Sequence, residues 1–246
     1  MSKKLFYILT TVLLIIIAFS CFMIFSELSQ KEKEKEDFEN LSEIAAKPIE
    51  IKPEAEEIEE DAVHKRNLGP LYEANPDFAG WINIPGTNVD YPVMYTPDDP
   101  QKYLRMNFEG EYAMSGIPFL EGTRELSDGH IIIYGHNMKN GTMFSDITKY
   151  AEKTYFDEHR LIEFETAEGL KTYEIFASAM LKSNDGWYYF NYSENEEIFE
   201  EFVTYIKEKS LYETGTETTF GRQILTLSTC FGDSDDDRII IAGIEK

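Results

Sequence analysis

Residues 222–230 read RQILTLSTC, a stretch in which apolar side chains alternate with small polar ones. Such alternation is typical of a β-strand, whose successive side chains point to opposite faces. The two leucines share one face, so Ser228 and Cys230 lie together on the other. A Gly-Asp turn signal begins at Gly232 and ends the strand. The sequence therefore predicts a thiol at a strand end, where it is both fixed in place and accessible.

Similar short segments recur through residues 67–246, separated by turn sequences such as Pro85-Gly86 and Asn140-Gly141. Seven or eight strands in a domain of this length predict a mainly-β barrel or sandwich. The other strand-like segments are WINIPGTNVDYPVM (81–94), GIPFLEG (116–122), HIIIYG (130–135), LIEFET (161–166), KTYEIFASAML (171–181) and RIIIAGI (238–244).

Two helical segments interrupt this strand pattern. Residues 142–150 predict a short helix, and residues 196–209 predict a longer amphipathic one. The longer segment has an apolar stripe made of Ile198, Phe199, Phe202, Val203 and Ile206.

The N-terminus predicts a membrane anchor. Residues 5–25 form an uncharged apolar run that, as a helix, is about 31 Å long and can cross the hydrocarbon core. Lys3 and Lys4 precede this run, so the positive-inside rule places residues 1–26 as a cytoplasmic tip and single-pass signal anchor, with all later residues outside the cell. A cleaved signal peptide is the alternative, but the run is long and no clear cleavage site follows it.

Charge and cysteine content exclude other classes. With 46 acidic and 23 basic residues the net charge is -23, which disfavours a nucleic-acid partner. Residues 27–66 begin with a strongly acidic stretch and predict an extracellular stalk that is helical at first and then flexible. Only Cys21 and Cys230 are present, so a disulfide framework is not expected.

Two further residues at strand ends suggest acyl transfer. His136 follows the apolar segment HIIIYG, and Arg238 opens the last one. A thiolate at Cys230 can attack a carbonyl, an imidazole can exchange protons, and a guanidinium can stabilise an oxyanion. Each residue alone also has a structural interpretation, such as an ion pair between Arg238 and the acidic loop before it.

The sequence predicts neither a metal nor a cofactor. The remaining histidines show no ligand spacing, and the DSDDD segment of residues 233–237 lacks the glycine and glutamate of a calcium loop. Whether the four aspartates of that segment act on the neighbouring site or only keep the loop soluble is left open.

Taken together, these segments resemble the sortase family. TLSTC at 226–230 followed by Arg238, with YGHN at 134–137, is similar to the sortase signature. The longer phrases YGHNMKNGTMF, GWINIPGTNVDYPVM and KYLRMNF resemble class B sortases, as does a long helix between the sixth and seventh strands. The resemblance runs from about residue 71 to the end of the chain.

The resemblance implies an eight-stranded sortase barrel and a cysteine transpeptidase with catalytic residues His136, Cys230 and Arg238. Cys230 would cleave a Thr-Gly or Thr-Asn bond in the C-terminal sorting signal of a surface protein, forming a thioacyl enzyme. His136 would protonate the leaving amine, and a peptidoglycan stem or cross-bridge amine would accept the acyl group at the Gram-positive cell wall.

The resemblance also implies substrate-binding positions at Leu104, Tyr134, Tyr188 and Ser228. Tyr189 and Pro100 depart from the class B pattern, which leaves the sorting-signal sequence open. The alternatives are a pilus-polymerising sortase that joins pilins through lysine side chains, a hydrolase using the same triad, and a non-catalytic membrane-anchored binding module.

Overall fold

Eight strands close into a barrel in the order β1-β2-β3-β4-β7-β8-β6-β5. In the computed structural model, residues 3–47, 64–190, 195–232, 234 and 236–246 are described. The predicted mainly-β, eight-stranded barrel with a few helices is therefore confirmed. The strands are β1 (Phe78–Asn83), β2 (Asp90–Met94), β3 (Phe119–Leu120), β4 (His130–Tyr134), β5 (Leu161–Thr166), β6 (Gly169–Lys182), β7 (Ile224–Cys230) and β8 (Asp237–Glu245).

Helical segments connect or cover these strands. The predicted amphipathic helix occurs with the expected bounds, whereas the expected short helix at 142–150 is a 3₁₀ helix spanning Phe144–Ala151. Two more 3₁₀ turns are Lys102–Arg105 and Gly186–Tyr189. The α-helices are α1 (Lys3–Ala46), α2 (Gly69–Ala74), α3 (Lys153–Glu158) and α4 (Glu196–Lys209).

The central strands bring three strand ends to one edge of the barrel. Strand β4 is parallel to β7, with Tyr134 opposite Ser228. Strand β7 is antiparallel to β8, with Cys230 opposite Arg238. Because parallel strands end at the same edge and an antiparallel neighbour begins there, β4 and β7 finish where β8 starts.

Helix α4 buries four residues of its predicted apolar stripe against the barrel, Phe199, Phe202, Val203 and Ile206, whereas Ile198 at its first turn is exposed. The side chain of Asn195 caps the helix by accepting a hydrogen bond from the Ile198 amide. Phe202 stacks on Trp187 with ring centroids 3.9 Å apart, and both rings are fully buried. Burying each ring contributes about 1.5–3 kcal/mol, so the helix and the Gly186–Tyr189 turn are held firmly against the barrel.

The chain divides into two units, Met1–Asn40 and Leu41–Lys246. Most of α1 lies in the first unit, and its apolar part is long and hydrophobic enough to cross a membrane. Its charged part carries i,i+4 ion pairs, including Lys31 with Glu27 at 2.7 Å. The predicted stalk is thus helical at its beginning, and residues 48–63 lie outside the described part.

In the second unit, the chain is already attached to the barrel shortly before α2. The backbone amides of Lys65 and Arg66 donate to one carboxylate oxygen of Glu165, at 2.8 and 3.0 Å. The Glu165 side chain is fully buried. These charge-assisted bonds fix the entry of the chain into the domain.

Candidate active site

The strand register brings His136, Cys230 and Arg238 to one edge. His136 lies two residues beyond Tyr134, and Cys230 lies two residues beyond Ser228, its partner in the parallel pair. The two residues therefore follow the last paired residues of neighbouring parallel strands, at the same edge of the barrel. Arg238 stands directly opposite Cys230 on the other side of β7. The three predicted catalytic residues thus occupy three adjacent strand ends.

The loop that carries His136 is bound to β7 on both sides of the histidine. The Gly135 amide donates to the Ser228 carbonyl at 3.2 Å, and Thr229 Oγ1 donates to the Gly135 carbonyl at 2.7 Å. Asn137 Nδ2 donates to the Cys230 carbonyl at 3.1 Å. Because these bonds link the loop to the strand of the thiol, His136 and Cys230 are held on one rigid support.

Gly135 is required by packing. A Cβ atom at this position would lie 2.6 Å from ring carbons of Phe144, which is fully buried. Any larger residue would push the histidine loop away from this ring. The glycine of the YGHN motif therefore allows the loop backbone to pack closely against Phe144.

A backbone carbonyl fixes the tautomer of His136. Its Nε2 lies 2.9 Å from the carbonyl oxygen of Leu104. A carbonyl only accepts, so Nε2 carries the proton and Nδ1 is the basic nitrogen of the neutral ring. Burial lowers the pKa of His136; the Leu104 carbonyl opposes this shift, and the charge of Arg105 adds to it. The resting imidazole is therefore neutral near pH 7.

A cleft of about 400 Å³ ends at the three strand ends. Cys230 is exposed and unpaired, so its thiol is accessible from the cleft. All seven residues predicted for catalysis or substrate binding line this cleft: Leu104, Tyr134, His136, Tyr188, Ser228, Cys230 and Arg238.

Two tyrosines and a serine line one part of the cleft. Tyr188 Oη and Ser228 Oγ are 3.0 Å apart and share a hydrogen bond. The ring of Tyr134 stacks on Tyr188 with centroids 6.1 Å apart. Burial raises the pKa of Tyr188 to about 12 and raises the pKa of Tyr134 as well. Both phenols are therefore neutral and can donate hydrogen bonds to a peptide.

The two positions that depart from the class B pattern differ in their location. Pro100 lines the cleft, and a Cβ atom at Gly122 would lie 2.4 Å from its ring. Tyr189 is 74% exposed and is not among the residues that line the cleft. Of the pair, only Pro100 can alter the shape of the cleft wall.

Sequence reasoning missed two features of the site. The contact of His136 with Leu104 uses a backbone carbonyl, which leaves no signal in the sequence. Glu121 also lines the cleft, directly after β3. The alternation from Phe119 through Leu120 to Glu121 puts the first and third residues on one face, and this signal was available in GIPFLEG.

The acidic loop before Arg238 is described only in part, because Asp233 and Asp235 lie outside the described residues. The Asp236 carboxylate accepts a hydrogen bond from Ser183 Oγ at 3.3 Å, and Asp237 pairs with Lys182. These two aspartates are thus engaged with the end of β6. An effect of the whole loop on catalysis stays a prediction.

Comparison with known proteins agrees with this architecture. The Sortase domain family matches residues 82–245. Sortase B of Listeria monocytogenes is 34% identical over 181 residues, which cover 72% of this chain and 72% of that protein. The X-ray structure of Clostridium perfringens sortase B has a TM-score of 0.68 and 31% identity, covering 73% of this chain and 100% of that one.

A Staphylococcus aureus sortase B-substrate complex has a TM-score of 0.74 at 24% identity, with 89% of this chain and 98% of that chain covered. At this identity the likeness bears on the fold, which the two proteins share over nearly their whole length. The match to the family over residues 82–245 and the relative at 34% identity show the family as well as the fold. The chain belongs to the sortase family and is a class B sortase, a cysteine transpeptidase.

Proposed function

We propose that this sortase cleaves a C-terminal sorting signal at a Thr-Gly or Thr-Asn bond, with Cys230 as nucleophile, and transfers the threonyl carbonyl to a peptidoglycan amine. The supporting observation is that the register sets Cys230 opposite Arg238 on β8, and that His136, just beyond β4, lines the same cleft. A nucleophile, a proton carrier and a cation at one end of a peptide-sized cleft suit acyl transfer.

In the first half-reaction, the Cys230 sulfur attacks the threonine carbonyl carbon while its proton passes to Nδ1 of His136. The carbonyl oxygen becomes an oxyanion beside the Arg238 guanidinium. His136 then returns the proton to the departing amide nitrogen, the C–N bond breaks, and a thioester remains on Cys230.

In the second half-reaction, the acceptor amine attacks the thioester carbon and gives its proton to His136. The oxyanion forms again beside Arg238, the C–S bond breaks, and His136 passes its proton to the departing Cys230 sulfur, which restores the neutral imidazole and the thiol. The neutral resting state of His136 suits this step, because a base must be unprotonated to accept the amine proton. Its Nε2–H bond to Leu104 keeps Nδ1 available for both transfers.

The cleft wall supplies groups for peptide binding. Tyr134 and Leu104 offer apolar surface, while Tyr188 and Ser228 offer hydroxyl groups beside Cys230. We assign all four to binding the residues that precede the scissile bond. An extended peptide exposes backbone carbonyls to which neutral phenols can donate.

The proposed location is the outer face of the cell membrane, with α1 as a single-pass anchor and the N-terminus in the cytoplasm. Lys3 and Lys4 before the apolar run support this orientation. Protease added to intact wall-stripped cells should remove the catalytic domain and spare a short N-terminal tag. Protection of the domain would contradict the orientation and the wall-linking role.

The transpeptidase assay uses the full chain in detergent and a fluorogenic peptide that contains a Thr-Gly or Thr-Asn bond. We expect cleavage to accelerate on addition of triglycine, and the ligated product to appear. Cys230→Ala and His136→Ala should abolish both. Acceleration by a lysine side-chain amine instead would indicate pilin joining, and product formed only with water would indicate a hydrolase.

A further inference from the structure

We propose that Glu121 selects a cationic side chain in the sorting signal, four or five residues before the scissile bond. The inference rests on the proposed function, because it requires a sorting peptide in the cleft that ends at Cys230. Glu121 lines the same cleft and belongs to none of the catalytic steps.

Strand register places Glu121 at the opposite end of the cleft from the thiol. Its amide donates to the Ile132 carbonyl at 2.8 Å, and Ile132 pairs with Thr226 on β7. Thr226 precedes Cys230 by four residues, which corresponds to about 13 Å along the strands. Glu121 is also two strands from β7, about 10 Å across the sheet.

These two offsets combine to a separation of about 16 Å between Glu121 and the thiol in the plane of the sheet. An extended peptide advances about 3.3 Å per residue, so it spans this separation in four to five residues. A peptide whose scissile bond lies at Cys230 therefore brings its fourth or fifth preceding side chain to Glu121.

The carboxylate of Glu121 is oriented by its neighbours. Oε2 accepts from the Thr123 amide at 3.1 Å and from Thr123 Oγ1 at 2.6 Å. The same oxygen is 3.6 Å from Nε of Arg124. Both of its hydrogen bonds within the described residues use Oε2, and the side chain is 21% exposed. A carboxylate has about four acceptor positions, so the group retains capacity for a ligand donor.

The charges along the cleft favour a cation at this end. Apart from the Cys230 thiol and the tyrosines, three ionisable side chains line the described part of the cleft: Glu121, His136 and Arg238. The anion therefore lies at one end and the guanidinium at the other. A lysine or arginine ahead of the cleavage sequence would meet the anion while the scissile carbonyl meets the guanidinium, which favours one direction of binding.

The competing interpretation makes Glu121 only a counter-ion for Arg124. Arg124 is buried and donates through Nη1 to the His130 carbonyl and through Nη2 to the Tyr188 and Phe190 carbonyls. In that case Glu121 would support the cleft wall, and its loss would affect every peptide by the same factor. The two roles differ in selectivity between peptides.

The test measures kcat/KM of the full chain in detergent for fluorogenic peptides carrying Lys, Ala or Glu in turn at each of the third to sixth positions, counting the scissile-bond threonine as the first. We expect wild type to prefer Lys over Ala by about five- to tenfold, at the fourth or fifth position only. Glu121→Gln should bring this ratio close to one, and Glu121→Lys should favour the Glu peptide.

Glu125→Gln is the matched control, because it makes the same charge change at an exposed residue that does not line the cleft. It should keep the wild-type ratio. Equal losses for all three peptides in Glu121→Gln, or a Lys/Ala ratio of one in wild type, would overturn the selectivity role while leaving the reaction intact. Absence of turnover with every peptide would overturn the proposed function as well.

Discussion

At the residue scale, the site combines a thiol, an imidazole and a guanidinium that adjacent strands place side by side. The alternation in residues 222–230 predicts a strand, and β7 spans Ile224–Cys230, which puts Ser228 and Cys230 on one face. The alternation could not predict the partner of His136, because the Leu104 carbonyl belongs to a distant 3₁₀ turn and any residue type supplies a carbonyl. Side-chain identity predicts chemistry better than it predicts backbone contacts.

The first prediction concerns Arg238, whose assigned role requires the planar guanidinium. Arg238→Lys keeps the charge but loses the fork of donors, so kcat/KM should fall about a hundredfold or more in the fluorogenic assay. Arg222→Lys makes the same change at an exposed residue near the other end of β7 and should leave the rate within about twofold. Full activity in Arg238→Lys would mean that a point charge suffices at this position.

At the element scale, the helices and strands differ in how far local sequence determines them. The bounds of α4 follow from its apolar stripe and the Asn195 cap, both visible in the sequence. The segment at 144–151 has a helical pattern but adopts a 3₁₀ helix. Its N-terminal neighbour Met143 has a positive φ of 56° and donates its amide to Tyr91 Oη. A contact with β2 thus shapes this segment, and local sequence does not report it.

The second prediction concerns the turn that presents the Leu104 carbonyl to His136. Gly116 has φ +57°, and a Cβ atom there would lie 2.5 Å from the carbonyl oxygens of both Tyr103 and Leu104. Gly116→Ala should displace this acceptor, so that the His136 proton is no longer held on Nε2. We expect kcat/KM to fall at least about tenfold.

The matched control is Gly110→Ala, since Gly110 has φ +81° with no atom within 4 Å of a Cβ. It incurs a similar backbone penalty without the collision. Backbone strain should lower the stability of both variants by a similar amount, and the collision should lower that of Gly116→Ala further. The two variants should differ clearly in activity. Equal activity in both would show that the position of the Leu104 carbonyl has no effect on catalysis.

At the scale of the whole molecule, the barrel and the α4 layer enclose a histidine that resists protonation. His130 is fully buried, with Nδ1 3.2 Å from the Phe190 carbonyl and Nε2 2.9 Å from Thr226 Oγ1. Burial and the charge of Arg124 lower the pKa of His130 to about 3, although the Phe190 carbonyl opposes the shift. The strand pattern alone predicts a barrel or a sandwich, and the resemblance to sortases favours the barrel that the structure has.

The third prediction follows from the His130 pKa. The unfolded chain binds a proton at this residue below about pH 6.5, whereas the folded chain does so only near pH 3. Stability contributed by neutral His130 is therefore complete above pH 6.5 and is lost as pH falls through this window, by at most about 1.4 kcal/mol per pH unit.

The measurement is urea unfolding at pH 7 and pH 4.5, followed by tryptophan fluorescence. Trp187 is a suitable reporter because its ring is fully buried and lies 5.0 Å from the His130 ring. His130→Gln should be less stable than wild type at pH 7 but lose less free energy of unfolding between the two pH values. Parallel pH dependence in both proteins would contradict a depressed pKa at His130.

In the proposed reaction, Cys230 carries the acyl group between the sorting signal and the acceptor amine. The most direct measurement is intact-mass spectrometry of the full chain, mixed with sorting peptide in the absence of amine and quenched in acid within milliseconds to seconds. We expect an adduct on Cys230 whose mass equals the peptide fragment ending in threonine, and we expect it to disappear when triglycine is added before the quench. Peptide turnover with no such adduct, or turnover that persists in Cys230→Ala, would contradict this role of Cys230.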